Sequence, residues 1–101
     1  MPKVKVTKQS NHSPSEAFDR VSKLLNNSQD LKKLDPAYTC KFNSESLTGT
    51  ATGKMFKANM TVSGSGDSSD VEIVVDLPLA LALAKGMVEK TLQRKLDESL
   101  G

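Results

Sequence analysis

The first third of the chain changes from an alternating pattern to a helical one. Residues 3–8 alternate charged and β-branched side chains, which predicts a short strand with one apolar face. The next helix is expected to begin at Ser13, because a serine cap, a proline at the first helical position and Glu16 make a typical capping box. Asp35-Pro36 is expected to end this region after a second short turn, since the residue before a proline disfavours the helical conformation.

The middle of the chain has the period of β-strands. Apolar and polar residues alternate over 38–43, 47–51, 56–62 and 71–77, and the short links between these segments predict antiparallel pairing. The stretch 63–70 is rich in serine, glycine and aspartate, so we expect it to be the most mobile loop.

The C-terminal segment, residues 79–100, is predicted to be a long helix of about 33 Å at about 1.5 Å per residue. Two ion pairs between neighbouring turns are expected on it, Lys85–Glu89 and Arg94–Glu98. The main apolar stripe of this helix comprises Leu81, Ala84, Val88, Leu92 and Leu96.

A second apolar stripe on this helix points towards a function. Leu79, Leu83 and Met87 recur every four residues, roughly 140–160° around the helix from the main stripe. A helix that lies on one sheet needs only one apolar stripe, so these residues must contact another part of the chain, a second copy in a homodimer, or an apolar ligand, granule or lipid surface. Gly86 lies beside them and would permit close approach of a helix. The three residues are therefore the candidate partner surface.

These elements predict a single α+β domain over residues 1–101. We expect an antiparallel sheet of four or five strands, with an N-terminal helix and a long C-terminal helix on one face, in the order β-α-β-β-β-β-α. The helices would bury one face of the sheet, and the face rich in Thr and Lys would stay in contact with water.

Composition and charge narrow the class of protein. The chain of 101 residues has 14 basic and 12 acidic residues, one His and one Cys, and a net charge of +2. This weak net charge predicts no specific nucleic-acid binding, although eight of the basic residues lie within positions 1–41. The apolar run 77–84 is too short to cross a bilayer, no secretory signal is recognised, and the single cysteine fits a reducing compartment. We therefore expect a cytoplasmic protein without a transmembrane segment.

Residues that carry chemistry are few and do not stand at catalytic spacings. His12 has no partner at a metal-binding spacing, so we expect neither a metal site nor a cofactor. Cys40 alternates with Tyr38 and Phe42 on an apolar strand face, which favours a buried, inert thiol over a nucleophile. No helix directly follows Gly64–Asp67, so a hairpin loop is favoured there over a phosphate-binding loop. We expect no enzymatic activity.

The order strand, capped helix, antiparallel strands and long helix resembles that of a known family. The segments that carry the likeness are Met1-Pro2-Lys3-Val4, Ser13-x-x-Glu16-Ala17, Tyr38, Gly53, the run 71–77, Leu81, Lys85-Gly86 and Leu96-Asp97. They resemble the bacterial polyhydroxyalkanoic acid system proteins, also called granule-region proteins, over nearly the whole chain. The resemblance implies a cytoplasmic, non-enzymatic accessory protein that acts near polyhydroxyalkanoate storage granules.

The same order of elements is also similar to a shortened helix-grip fold of the START-like group, in which a long C-terminal helix lies across a curved sheet. This likeness implies an alternative function as a carrier of a lipid or another hydrophobic ligand, held in a cavity lined by Phe56, Met60, Ile73 and Val88. Because the chain is short for this fold, a cavity shared by two copies is favoured over a closed one. A third hypothesis, a nucleic-acid accessory role, predicts retention on heparin that weakens steeply with salt.

Overall fold

The protein consists of an antiparallel sheet covered by helices. The structure is a computed structural model that describes residues 3–27, 29–54 and 56–100, without the side chains at positions 30, 31, 34, 65, 80 and 81. In chain order the elements are β1 (Lys3–Ser10), α1 (Pro14–Asn26), α2 (Gln29–Leu34), β2 (Thr39–Asn43), β3 (Thr48–Thr52), β4 (Lys57–Ser65), β5 (Ser68–Asp76), a 3-10 helix (Leu79–Ala84) and α3 (Lys85–Leu100).

The five strands of the described chain form one sheet in the order β1-β5-β4-β3-β2. Every neighbouring pair is antiparallel, and the first strand pairs with the last one. α1 packs against β2 to β5 and against α3, while α3 packs against β1. The predicted α+β class, with a sheet of four or five antiparallel strands and helices on one face, is confirmed.

The core lies between the sheet and the helices. The register places Val6 opposite Ile73 and Ile73 opposite Met60, so the apolar residues of three strands share one face. Val21 of α1 and Leu92 of α3 are buried against this face in the same hydrophobic cluster. The other face carries mainly polar side chains that are open to water, as the alternating pattern predicts.

The start of α1 follows the prediction in part. The backbone N–H of Glu16 donates to the Ser13 hydroxyl at 3.3 Å, and proline occupies the first turn. The carboxylate of Glu16, however, accepts hydrogen bonds from Arg20 instead of completing the predicted capping box. The guanidinium is the stronger partner because its hydrogen bonds to a carboxylate are charge-assisted.

The Ser/Gly stretch 63–70, predicted as a loop, consists mostly of strand. β4 continues to Ser65 and β5 begins at Ser68, so only two residues make the turn. Gly66 has a φ of 64°, which glycine adopts without a steric penalty, and this conformation lets the two strands meet in a tight hairpin. The prediction of a hairpin at this point is correct, but the loop is much shorter than its composition indicated.

Long-range polar contacts hold α3 in place. The amine of Lys8 on β1 lies 3.1 Å from the Asp97 carboxylate on α3. Arg20 of α1 donates to the backbone carbonyl of Ser99 at 3.0 Å. In the described part of the chain, no helix combines the length and the hydropathy that a membrane span requires.

The two ion pairs predicted within the last helix are not among those of the described residues. Arg20 and Glu16 pair instead on α1 at 3.1 Å. Exposed pairs of this kind contribute only a few tenths of a kcal/mol, which is comparable with the conformational entropy lost when two long side chains are held together. Sequence spacing alone is therefore a poor guide to which of them form.

Candidate functional site

Three exposed hydrophobic side chains near the start of the last helix form the candidate site. Leu79, Leu83 and Met87, which we call the apolar patch, are exposed by 81%, 102% and 57%. They are the large hydrophobic side chains that the described part of the chain leaves open to solvent. The patch therefore lacks the contact within the described chain that would have explained the second stripe.

The backbone of the patch differs from the predicted α-helix. Residues 79–84 form a 3-10 helix, and α-helical geometry begins only at Lys85. Pro78 occupies the cap position, where no side chain accepts a hydrogen bond from the first N–H groups. The predicted four-residue stripe is therefore irregular, because about three residues per turn place Leu79 and Leu83 roughly 120° apart.

The inner side of this segment is fixed to the core. Leu77 before it and Val88 after it are exposed by only 1% and 3%, and Ala84 packs against the same cluster. These contacts determine which side of the segment faces the sheet, so the patch residues between them face solvent. The predicted main stripe is observed from Ala84 onward, while the side chain of Leu81 lies outside the described residues.

Gly86 is exposed, and the space above it is open. A Cβ atom built at this position meets nothing within 4 Å. The close approach of another helix that the sequence predicted therefore has no counterpart among the described residues.

The predicted ligand-facing residues lie together in the core. Phe56, Met60, Ile73 and Val88 are each exposed by 3% or less and belong to one hydrophobic cluster. The ring of Phe56 lies 5.6 Å from the ring of Tyr38, and Met60 stands directly opposite Ile73 on the neighbouring strand. The structure thus brings the four residues onto one side of the sheet, and their role as the lining of a ligand cavity stays a prediction.

The described grooves lie away from these four residues. One groove of about 410 Å³ lies mainly over the outer face of β1, β5 and β4, and most of the residues that line it have polar or charged side chains. Another of about 350 Å³ lies between the ends of α1 and α3, beside Arg20 and Glu98. Both grooves are lined mainly by polar or charged residues, whereas a lipid pocket is lined mainly by hydrophobic and aromatic side chains.

Tyr38 and Cys40 share one acceptor at the end of α1. The Tyr38 hydroxyl donates to the carbonyl oxygen of Leu25 at 2.7 Å, and the Cys40 thiol approaches the same oxygen at 3.7 Å. Burial raises the pKa of both groups, and for Cys40 the Tyr38 hydroxyl and the charge of Lys32 offset part of this effect. A thiol with a raised pKa stays protonated near neutral pH, so Cys40 is a poor nucleophile.

His12 lies two residues before α1 and is partly buried. Its Nδ1 atom is 3.6 Å from the Glu16 carboxylate, and its backbone N–H donates to the hydroxyl of Ser10 at 2.9 Å. Within the described ranges, no group of three or more His, Cys, Asp or Glu side chains is placed to hold a metal ion.

Sequence reasoning missed one buried contact. Asp35 is exposed by only 2%, and its carboxylate accepts a hydrogen bond from the backbone of Ala37 at 3.1 Å. A Cβ atom at Gly53 would collide with the same carboxylate, so only glycine fits there without a shift of the backbone or of Asp35. Nothing in the spacing of these residues links them, and only the sequence Asp35-Pro36 and the isolated glycine mark them as unusual.

The fold can be compared with known proteins. No protein-family model and no curated protein matches the chain. Among solved structures, the chain is similar to the protein TTHA0849 from Thermus thermophilus, with a TM-score of 0.61 and 13% identity over 98% of this chain and 94% of that one. It is also similar to a START superfamily protein from Mycobacterium smegmatis, with a TM-score of 0.59 and 13% identity over 97% and 93% of the two chains.

A third similar structure belongs to a larger protein. It is the di-domain ARO/CYC protein BexL from the BE-7585A biosynthetic pathway, with a TM-score of 0.72 and 9% identity over 99% of this chain. The likeness covers only 45% of BexL, so the chain spans less than half of that protein. Likeness at such low identity concerns the fold alone, and it does not extend to the storage-granule family. The chain therefore shares its fold with proteins that include a START superfamily member, which confirms the more distant resemblance at the level of the fold alone.

Proposed function

We propose that this chain is a non-enzymatic protein that docks on an apolar interface through the apolar patch. The observation that carries the proposal is the exposure of the patch, with Leu83 at 102%. Leu92 and Leu96 of α3 are almost completely buried, so the exposure of the patch is not a general property of the leucines in this segment. A group of exposed hydrophobic side chains beside a well-packed core is typical of a surface that binds a partner.

The energy available at the patch is large for a small domain. Full burial of one Leu or Met side chain contributes about 1.5–3 kcal/mol. A native domain is stable by only about 5–15 kcal/mol in total. Transfer of the three patch residues out of water therefore provides a driving force of the same order as the stability of the fold, before the cost of association is subtracted.

The contacts of the reactive side chains support a role without catalysis. Tyr38 and Cys40 share the Leu25 carbonyl, and His12 lies beside Glu16 at the start of α1. These contacts join elements of the fold to one another. The proposal accordingly assigns no reaction to them.

The sequence resemblance to granule-region proteins supplies a candidate for the interface, the surface of a polyhydroxyalkanoate storage granule in the cytoplasm. The comparisons support only the START-like fold, so the granule rests on that resemblance alone. A second copy of the chain in a homodimer is the other occupant that the patch would accommodate.

Binding to polyhydroxyalkanoate particles and to phospholipid vesicles tests the proposal. We expect the native chain to co-sediment with at least one of these surfaces. The double variant Leu83→Ser/Met87→Ser should lose most of the binding, because the apolar contact is removed. Val74→Ser is the matched control, since Val74 is a partly exposed residue on the outer sheet face, away from the patch.

The double variant should keep the unfolding midpoint of the native chain, because both of its altered side chains are exposed. Equal binding by the double variant and the control would contradict the proposal. If the patch mediates a dimer and the chain binds neither of the two surfaces, the partner of the patch is a second copy of the chain.

A carrier of one hydrophobic ligand is the second candidate, favoured by the START-like fold and by the clustering of Phe56, Met60, Ile73 and Val88 under the helices. Displacement of a fluorescent fatty acid separates the two candidates. A carrier binds a defined amount of fatty acid in solution, and Leu83→Ser/Met87→Ser leaves this binding unchanged. A docking protein with a filled core binds none.

A further inference from the structure

We propose that the apolar patch docks on membranes that contain anionic phospholipids, and that Lys85, Lys90 and Arg94 supply the attraction to the headgroups. This inference rests on the proposed function and names the chemistry of the surface that the patch meets.

The segment that carries the patch has a net positive charge. The segment 79–95 contains four basic residues and one acidic residue, which leaves three net positive charges. The whole chain has a net charge of only +2, so the remaining residues together carry a slight negative charge. The apolar patch therefore lies in a segment whose net charge is more positive than that of the whole chain.

Helix geometry places the basic side chains beside the patch. In a 3-10 helix the side chains three residues apart are eclipsed, so Lys85 follows Leu79 on one line after two such steps. On α3, Lys90 and Arg94 follow Met87 by three and seven residues, which is the spacing of one helix face. One basic residue therefore lies within the patch segment, and two lie beyond its C-terminal end.

These three basic residues are exposed and stand outside the ion pairs of the described residues. Other basic residues are engaged, since Lys8 pairs with Asp97 and Arg20 pairs with Glu16. An unpaired cation next to exposed leucine is able to contact a phosphate headgroup while the leucine enters the acyl region, as in interfacial amphipathic segments.

The same charges argue against a second copy as the occupant. A twofold interface through the patch would bring two copies of the segment 79–95 into one interface, each with three net positive charges. Like charges across an interface oppose association. An anionic surface is the complement that both the leucines and the cations fit.

Co-sedimentation with vesicles tests this inference. One set of vesicles contains phosphatidylcholine alone, and the other contains phosphatidylglycerol as well. Each basic residue near an anionic surface strengthens binding by roughly fivefold. The triple variant Lys85→Gln/Lys90→Gln/Arg94→Gln should therefore weaken binding to the anionic vesicles by roughly 100-fold, and added salt should weaken binding by the native chain.

The matched control removes three exposed lysines of α2, β2 and β4 instead, as Lys33→Gln/Lys41→Gln/Lys57→Gln, and these also stand outside the ion pairs of the described residues. Strong binding by this control and weak binding by the first triple variant support the inference. The inference would be overturned by equal losses of binding in both triple variants. It would also be overturned by equal binding of the native chain to both vesicle types, or by a dimer that depends on the patch. Equal binding to both vesicle types would leave the proposed function standing, whereas no binding to vesicles or polyester particles would overturn both.

Discussion

Tyr38 shows how the position of one side chain decides its chemistry. The residue is exposed by only 6%, and its hydroxyl is hydrogen-bonded to a backbone carbonyl at the end of α1. Removal of the phenol from water disfavours the charged phenolate, and this desolvation is the main cause of the raised pKa of Tyr38. Asp35 and Gly53 make the same point for packing, since a buried carboxylate occupies the space that a side chain at position 53 would need.

The raised pKa of Tyr38 predicts a loss of stability in alkali. The folded state holds the proton more tightly than the unfolded state, in which the pKa is 10.0. The stabilisation is therefore complete below about pH 10 and falls by up to about 1.4 kcal/mol per pH unit as the pH rises further.

Urea unfolding from about pH 8 to about pH 11 measures this effect. Tyr38→Phe should cost about 0.5–1.5 kcal/mol at neutral pH, because the hydrogen bond to the Leu25 carbonyl is lost, and it should make the alkaline decline shallower. An identical slope in the native chain and the variant would show that Tyr38 does not cause the decline.

Two glycines show how the same residue type serves different elements. Gly64 lies near the end of β4 with a φ of 130°, a conformation that other residues rarely adopt. Gly86 lies in the first turn of α3 with no neighbour within 4 Å of its missing Cβ atom. Glycine is therefore required by the hairpin but only tolerated by the helix.

Replacement of each glycine by alanine should have opposite effects on stability. Gly86→Ala should raise the free energy of unfolding by about 0.5–1 kcal/mol, because alanine favours the helix and meets no clash. Gly64→Ala should lower it by more than about 1 kcal/mol, because the backbone is strained and the new Cβ atom comes within 2.5 Å of the Ser68 carbonyl oxygen. Thermal unfolding of the two variants measures both, and shifts of the same sign would refute the assignment.

In the folded molecule, some leucines of the C-terminal segment are buried and others are exposed. Leu96 is completely buried between sheet and helices, whereas Leu83 is completely exposed. Both residues lie in the segment that the sequence predicted as one amphipathic helix. Only the docking of α3 on β1, together with the contact between α1 and α3, creates the difference between them.

This difference predicts the stability of two alanine variants. Leu96→Ala should lower the free energy of unfolding by about 2–5 kcal/mol, because it leaves a cavity in the core. Leu83→Ala should change it by less than about 0.5 kcal/mol, since an exposed side chain loses no packing. Urea denaturation compares the two, and a large loss for Leu83→Ala would mean that the residue is covered in solution.

Periodicity predicted the strands and helices well, because burial of one face forces apolar residues to recur with the period of each element. It failed where the backbone departs from that period. The 3-10 helix at 79–84 follows Pro78, and the two-residue turn after Ser65 uses a positive φ at Gly66; neither feature alters the hydrophobic pattern. The candidate site was predicted as three residues, and the structure adds that their side chains have no cover within the described chain.

By itself, the sequence determined the class of the fold, the order of its elements and the surplus of apolar residues in the last segment, since these follow from local propensity and periodicity. Tertiary structure alone decided the rest. The pairing of β1 with β5, the contact of Asp35 with Gly53 and the open position of Leu83 all join or separate residues that are distant in the chain. No local pattern encodes such relations, because they depend on which faces meet when the whole chain packs.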